Sequence, residues 1–141
     1  MHNLSSAIKI TKVADHSAAD TTAVNSTGVD MTGYQGVLFL TSFGTANANN
    51  TVNAARGLTL GGTYDDLTGT SVASGTSDED VWIDVYRPGD VFVRLEAARG
   101  TSSTLESIWA IQYGAAKMPV DNTTTGTIVG EVHAEPGEGT A

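Results

Sequence analysis

Apolar and polar residues alternate with period two along much of this chain. The cleanest stretch is Val81-Trp82-Ile83-Asp84-Val85-Tyr86, with Val81, Ile83 and Val85 on one face and Trp82, Asp84 and Tyr86 on the other. Period two is the repeat of a strand with one buried face. Arg87-Pro88-Gly89-Asp90 follows. Proline at the second turn position and glycine at the third is the type II pattern. Val91-Phe92-Val93-Arg94-Leu95-Glu96 then alternates again. The two runs predict a β-hairpin whose core face carries Val81, Ile83, Val85, Val91, Val93 and Leu95.

Other stretches read the same way. In residues 7–13, Ile8, Ile10 and Lys12 oppose Lys9, Thr11 and Val13, which predicts a strand; the small polar residues 14–20 read as a loop. A short strand is expected over residues 24–31. Residues 36–43 are nearly continuously apolar, the pattern of a strand buried on both faces. Residues 52–60 predict a strand with a bulge or bend at Arg56-Gly57, ended by the Gly61-Gly62 turn. Weaker strands are expected at 64–67 and 70–73. Residues 107–113 set Ile108, Ala110 and Gln112 against Trp109, Ile111 and Tyr113. The last segment, 119–141, has Ile128, Val129 and Val132 as its main apolar residues. Within it, residues 127–133 are expected either to pair one strand with the domain or to reach a neighbour. Nowhere do apolar residues recur at helical spacing over three turns. About eight or nine short strands in succession predict an all-β fold, an antiparallel β-sandwich of jelly-roll-like form with extended N- and C-terminal segments. The expected organisation is an N-terminal strand or arm at 1–20, the sandwich at 21–118 and an extended tail at 119–141.

Composition narrows the chemistry. A chain of 141 residues suits one domain. It has no cysteine, which excludes a disulfide framework, a thiol nucleophile and a cysteine-ligated metal. Its net charge is −9, and its 7 basic residues are scattered from Lys9 to Lys117, so no basic face for nucleic acid is expected. No apolar run approaches the ~20 residues of a membrane span, and the first residues lack the charged start and apolar block of a signal peptide. A soluble protein is expected.

Enzyme signatures are missing: no nucleophile elbow, no His-Glu-x-x-His, no P-loop and no EF-hand spacing. His2, His16 and His133 fall in expected loops or termini. Asp78-Glu79-Asp80 offers hard oxygen ligands for calcium, but also reads as a solvated turn before a strand. Asp65-Asp66 reads as turn chemistry. Trp82 and Tyr86 share a face, as do Trp109 and Tyr113. Such aromatics form either a sugar-stacking platform or a packing or subunit contact. Arg87 and Arg94 flank the expected turn and are read as surface pairs with Asp84, Asp90 or Glu96, or as contacts to an acidic neighbour. No catalytic, cofactor or metal residue is assigned.

Four stretches resemble a known group: Ala7-Ile8-Lys9-Ile10-Thr11-Lys12-Val13-Ala14-Asp15, Gly33-Tyr34-Gln35-Gly36-Val37-Leu38-Phe39, Asp78-Glu79-Asp80-Val81 through Tyr86-Arg87-Pro88, and Ile108-Trp109-Ala110-Ile111-Gln112-Tyr113-Gly114. With Lys117-Met118-Pro119-Val120-Asp121-Asn122 they are similar to the jelly-roll head decoration (cement) proteins of tailed bacteriophages and prophages. The resemblance implies a non-enzymatic β-sandwich, made in the bacterial cytoplasm, that sits as a homotrimer on the outer capsid surface of the virion. There it would bind the major capsid protein, clamp adjacent capsomers and use no cofactor. The candidate interface residues are Ile8, Lys9, Ile10, Tyr34, Arg87, Arg94, Ile128, Val129 and Val132. Two other readings remain: a carbohydrate-binding sandwich displayed for adhesion, and a head–tail or tail structural protein.

Overall fold

The computed structural model describes residues 3–89, 91–122, 128–135 and 137–140; His2, Asp90, Thr123-Thr124-Thr125 and Thr127 lie outside these. The chain opens with a single helical turn, α1 (Leu4–Ala7), capped by the side chain of Asn3 on the Ser6 amide. Among the described residues twelve strands follow: β1 (Lys9–Ala14), β2 (Ser17–Asp20), β3 (Val24–Asn25), β4 (Val29–Asp30), β5 (Gly36–Phe43), β6 (Thr51–Gly57), β7 (Asp65–Asp66), β8 (Val72–Ala73), β9 (Glu79–Tyr86), β10 (Phe92–Ala98), β11 (Ser103–Leu105) and β12 (Ile108–Tyr113). They form an antiparallel β-sandwich, the architecture the alternation predicts. One sheet has the order β1-β12-β5-β9. The other runs β3-β10-β6-β7, with β4 also on β10 and β8 also on β6. β2 and β11 make a separate two-stranded ribbon.

The core lies between the two main sheets. Val37, Phe39 and Phe43 of β5, Val81, Ile83 and Val85 of β9, and Ile108 and Ala110 of β12 project inward from one side. Val52 and Ala54 of β6 and Val93, Leu95 and Ala97 of β10 meet them from the other. Gln112 also faces inward, and its side-chain amide donates to the Asp30 carbonyl at 2.7 Å, which satisfies a polar group the core would otherwise strand.

The expected hairpin is absent. β9 pairs with β5 and β10 pairs with β6, so the two strands belong to opposite sheets. The Arg87 amide donates to the Gln35 carbonyl at 2.7 Å and stays with the first sheet, while Val91 accepts from the Met31 amide at 3.1 Å on the second. Between them Arg87 (φ 53) and Gly89 (φ 85) take left-handed backbone that swings the chain across the core edge. Alternation records only that one face is buried. A hairpin and an arch bury the same face, and only strand pairing distinguishes them.

Other expectations change for local reasons. Residues 24–31 hold two short strands, not one, both lying along β10. Residues 17–20, read as loop, are β2. Strand β6 ends at Gly57 and keeps continuous register against β10 through Arg56, so there is no bulge. Gly57 is there for space: a Cβ would lie 2.7 Å from the Thr63 carbonyl and against the Tyr64 ring. Residues 128–133 form no strand.

Arg99 was not singled out by any sequence pattern, yet its buried guanidinium organises one end of the sandwich. It donates to the carbonyls of Thr22 and Ala18, each at 2.7 Å, and of Ser103 at 3.1 Å, with Asp20 at 3.9 Å. Three carbonyls and one carboxylate thus hold the β2–β11 ribbon on the domain.

Truncating Phe39, fully buried in the centre of β5, removes a large side chain that rigid sheets cannot collapse around. Phe39→Ala is expected to lower stability by about 3–5 kcal/mol. Urea denaturation should show this as a lower midpoint with unchanged slope.

Candidate functional site

The outward face of the four-stranded sheet is the unusual surface of this molecule. β5 and β12 carry apolar residues on both faces, and one core can bury only one of them. The register places the surplus in rows. Lys12, Trp109, Leu40 and Trp82 stand side by side across β1, β12, β5 and β9. Ile10, Ile111, Leu38 and Asp84 form the next row, then Tyr113, Gly36 and Tyr86. The expectation that β5 is buried on both faces is therefore corrected: Val37, Phe39 and Phe43 are buried, but Leu40 is exposed and Leu38 only half-buried. Trp82 is 62% exposed and Tyr86 57% exposed. Trp109 and Ile111 are half-buried. Carboxylates rim the patch, with Asp80 and Glu106 beside Leu40 and Trp109 in a shallow depression.

Gly36 shapes this face. A Cβ at Gly36 would overlap the Tyr113 ring, so the missing side chain lets that ring lie across β5. The Tyr113 hydroxyl thereby reaches over to β9 and donates to Asp84 Oδ1 at 2.7 Å. Burial, and then this bond to Asp84, push the phenol up to about 12. A polar tie thus crosses an otherwise aliphatic and aromatic sheet and fixes β12, β5 and β9 as one flat platform.

The outer face of the second sheet is different. Arg94 donates to Glu96 through Nε at 2.8 Å and stacks on the Tyr64 ring at 4.1 Å, while Asn53 donates to Asp66 at 2.8 Å. It is polar, and the Tyr64 ring, beside Gly57 and under Arg94, covers part of it.

The candidate interface residues divide into three places. Ile8, Lys9 and Ile10 lie at the β1 edge, where the Lys9 ammonium donates to the Asp121 carbonyl at 2.5 Å. Ile128, Val129 and Val132 line the same groove as Ile10. Tyr34 and Arg87 meet near the arch, where Tyr34 packs on the core and Arg87 sits 5.0 Å above the Tyr86 ring. Arg94 is remote, on the other sheet. Of the expected partners, Glu96 pairs with Arg94, two residues along its own strand; Asp90 lies outside the described residues, and among these residues no ion pair joins Arg87 to Asp84.

The acidic triplet does not converge. Asp78 (φ 59) is in the turn, Glu79 accepts from the Ser74 hydroxyl at 3.0 Å, and Asp80 stands opposite Ser42. Among the described residues no group of three His, Cys, Asp or Glu side chains is placed to hold a metal. His16 lies 3.3 Å from Glu106 and His133 lies 2.9 Å from Glu131, at separate ends of the structure.

No family model and no curated protein matches this chain. Two solved structures are similar in fold. The PBSX exported protein XepA aligns over 96% of this chain with TM-score 0.54 and 19% identity, and this chain spans 46% of its length. A Bacillus endospore appendage protein of disulfide-linked pili aligns over 76% of this chain and 88% of its own, with TM-score 0.47 and 17% identity. Likeness at these identities is a likeness of fold.

The Tyr113 phenol gives a pH signature. Its folded-state value of about 12 exceeds the ordinary 10.0, so the neutral phenol stabilises the fold fully below pH 10 and this contribution is lost as pH rises toward 12. Tyr113→Phe should therefore show a shallower loss of stability between pH 10 and 12 by urea denaturation. A slope equal to that of the native chain would disprove the raised phenol.

Proposed function

We propose that this protein is a non-enzymatic structural component of a bacteriophage virion, a decoration protein that binds the outer surface of the head and stabilises the shell. One observation supports it above the rest. Each of the four stretches that resemble head decoration proteins falls on one strand of the same sheet: β1, the first half of β5, β9 and β12. The fifth, 117–122, ends at Asn122, which is hydrogen-bonded to the open side of β1. Stretches scattered over more than a hundred positions meet on one platform, and that platform carries the exposed Trp82, Tyr86 and Leu40. Large aromatics standing in water on a flat sheet are the composition of an interface centre. The acidic rim leaves such a surface selective for a partner with complementary charge.

In this reading the platform docks on the major capsid protein, and three copies engage neighbouring capsomers together. Trivalency multiplies a weak single contact, so each platform need bind only modestly. Binding to the expanded shell alone would stabilise that shell by mass action. A second reading rests on Trp82 and Tyr86 themselves. They flank Asp84 on one strand, and exposed rings beside a carboxylate also suit a sugar. In that case glycans would quench tryptophan fluorescence, and a blank glycan array would count against it.

The test is co-sedimentation with expanded heads that lack the protein. The native chain should pellet with the shells, and Trp82→Ala should weaken binding by about 30-fold, the size of an interface hot spot. Native chain that stays in the supernatant would refute the proposal. Light scattering should give about three subunits, and a larger ring would favour the tail or head-completion alternative.

A further inference from the structure

β1 is an edge strand, with β12 on one side. In an antiparallel pair, successive residues aim their backbone groups alternately at the partner and away from it. The Ile10 amide donates to Asn122 Oδ1 at 2.8 Å, so Ile8, Ile10 and Lys12 form the outward set. Asn122 imitates a neighbouring strand: while Oδ1 accepts from Ile10, Nδ2 donates to the carbonyls of Ile8 at 2.8 Å and Ser5 at 2.7 Å. A single side-chain amide reaches no further than Ile10. The Ile10 carbonyl and both backbone groups of Lys12 continue the same edge beyond it.

Beside this edge runs a groove with Ser6, Ile10 and Asn122 on one wall and Ile128, Val129 and Val132 on the other. Residues 128–133 read Ile-Val-Gly-Glu-Val-His and form no ladder. Val129 is 101% exposed and Val132 56% exposed. Three β-branched residues in a run of six favour a strand; here they form none, with Ile128 half-buried and Val129 and Val132 in water. Charge points the same way. β1 carries two of the chain's 7 basic residues: Lys9, which donates to the Asp121 carbonyl, and Lys12, which pairs with Asp15 at 2.5 Å in the same chain and would exchange it for an incoming carboxylate. After Lys117 the chain has no Lys or Arg, but it has Asp121, Glu131, Glu135 and Glu138. An acidic, strand-prone segment and a basic strand edge are complementary in backbone, side chain and charge.

We propose that residues 128–133 of a second copy of this chain add to β1 beyond Asn122, as a fifth strand of the sheet. The segment of the same chain lies across the groove and leaves Val129 wholly in water, so it does not fill the edge it borders. Donating a tail to a neighbour's edge is a head-to-tail contact, which closes into a ring when the rotation permits. The contact uses the sheet's edge and leaves its outer face free, so it is independent of shell docking.

The chain contains no cysteine, which makes disulfide trapping clean. Lys12→Cys combined in turn with Glu131→Cys and with Val132→Cys covers both faces of the donated segment. Mild oxidation should yield covalent multimers on a denaturing gel. A disulfide confined within single chains, or none for either pair, would overturn the proposal. In parallel, Val129→Asp with Val132→Asp alters only exposed residues and should reduce the light-scattering mass to one subunit with an unchanged circular dichroism spectrum. A native chain that is already monomeric at its highest soluble concentration, or a multimer indifferent to the two aspartates, would also overturn it. Shell binding lost in Trp82→Ala while the cross-links persist separates this contact from the docking platform.

Discussion

A two-layer sandwich has one interior, and each strand can turn only one face to it. β9 obeys that limit, burying alternate residues and exposing the ones between, and β10 buries alternate residues while leaving the ones between half-buried. β5 and β12 exceed it. Val37, Phe39 and Phe43 with Ile108 and Ala110 fill the core. That leaves Leu38, Leu40, Trp109 and Ile111 on the reverse side with no second layer above them. β9 adds Trp82 and Tyr86 to the same surface. The apolar outer platform follows from this surplus.

What keeps such a platform ordered is a small set of polar ties. Tyr113 crosses the gap left by Gly36 to bind Asp84, which locks three strands at one end. Asn122 pins the chain after β12 to the β1 edge through three hydrogen bonds. Arg99, buried at one end of the sandwich, gathers three carbonyls that would otherwise lack donors. A buried guanidinium is tolerable only when its donors are used, and these are. Each tie joins residues far apart in the chain, so each depends on the sandwich already being formed.

The two sheets consequently divide their labour. The second sheet has a polar outside in which Arg94, Glu96 and Tyr64 satisfy one another. Such a face is well solvated and gains little by being covered. The first sheet leaves Leu40, Trp82 and Tyr86 in water on its outer face, apolar area that is stabilised by being covered. The fold shared with the PBSX exported protein XepA is compatible with such a cover and does not dictate it.

The sequence by itself determined the class of fold and the inward residues. Period-two alternation in residues 81–86 and 91–96 names Val81, Ile83, Val85, Val91, Val93 and Leu95 as core, because a half-buried strand leaves that signature in the chain alone; all but Val91, half-buried against it, are fully in the core. In residues 108–113 alternation separates the two faces without saying which is inward. It also showed aromatics sharing faces: Trp82 with Tyr86, and Trp109 with Tyr113. Pairing was left to the tertiary structure. The turn at Arg87 to Gly89 has hairpin chemistry, but local residues set the bend and not the destination of the strand that follows, so the crossing to the other sheet was invisible. Equally hidden was the exposure of Leu40, since a strand apolar on both faces reads as doubly buried until the layers above it are known. Arg99, Gly36 and Asn122 left no signal, because each acts on residues distant in sequence that only folding brings within hydrogen-bonding reach.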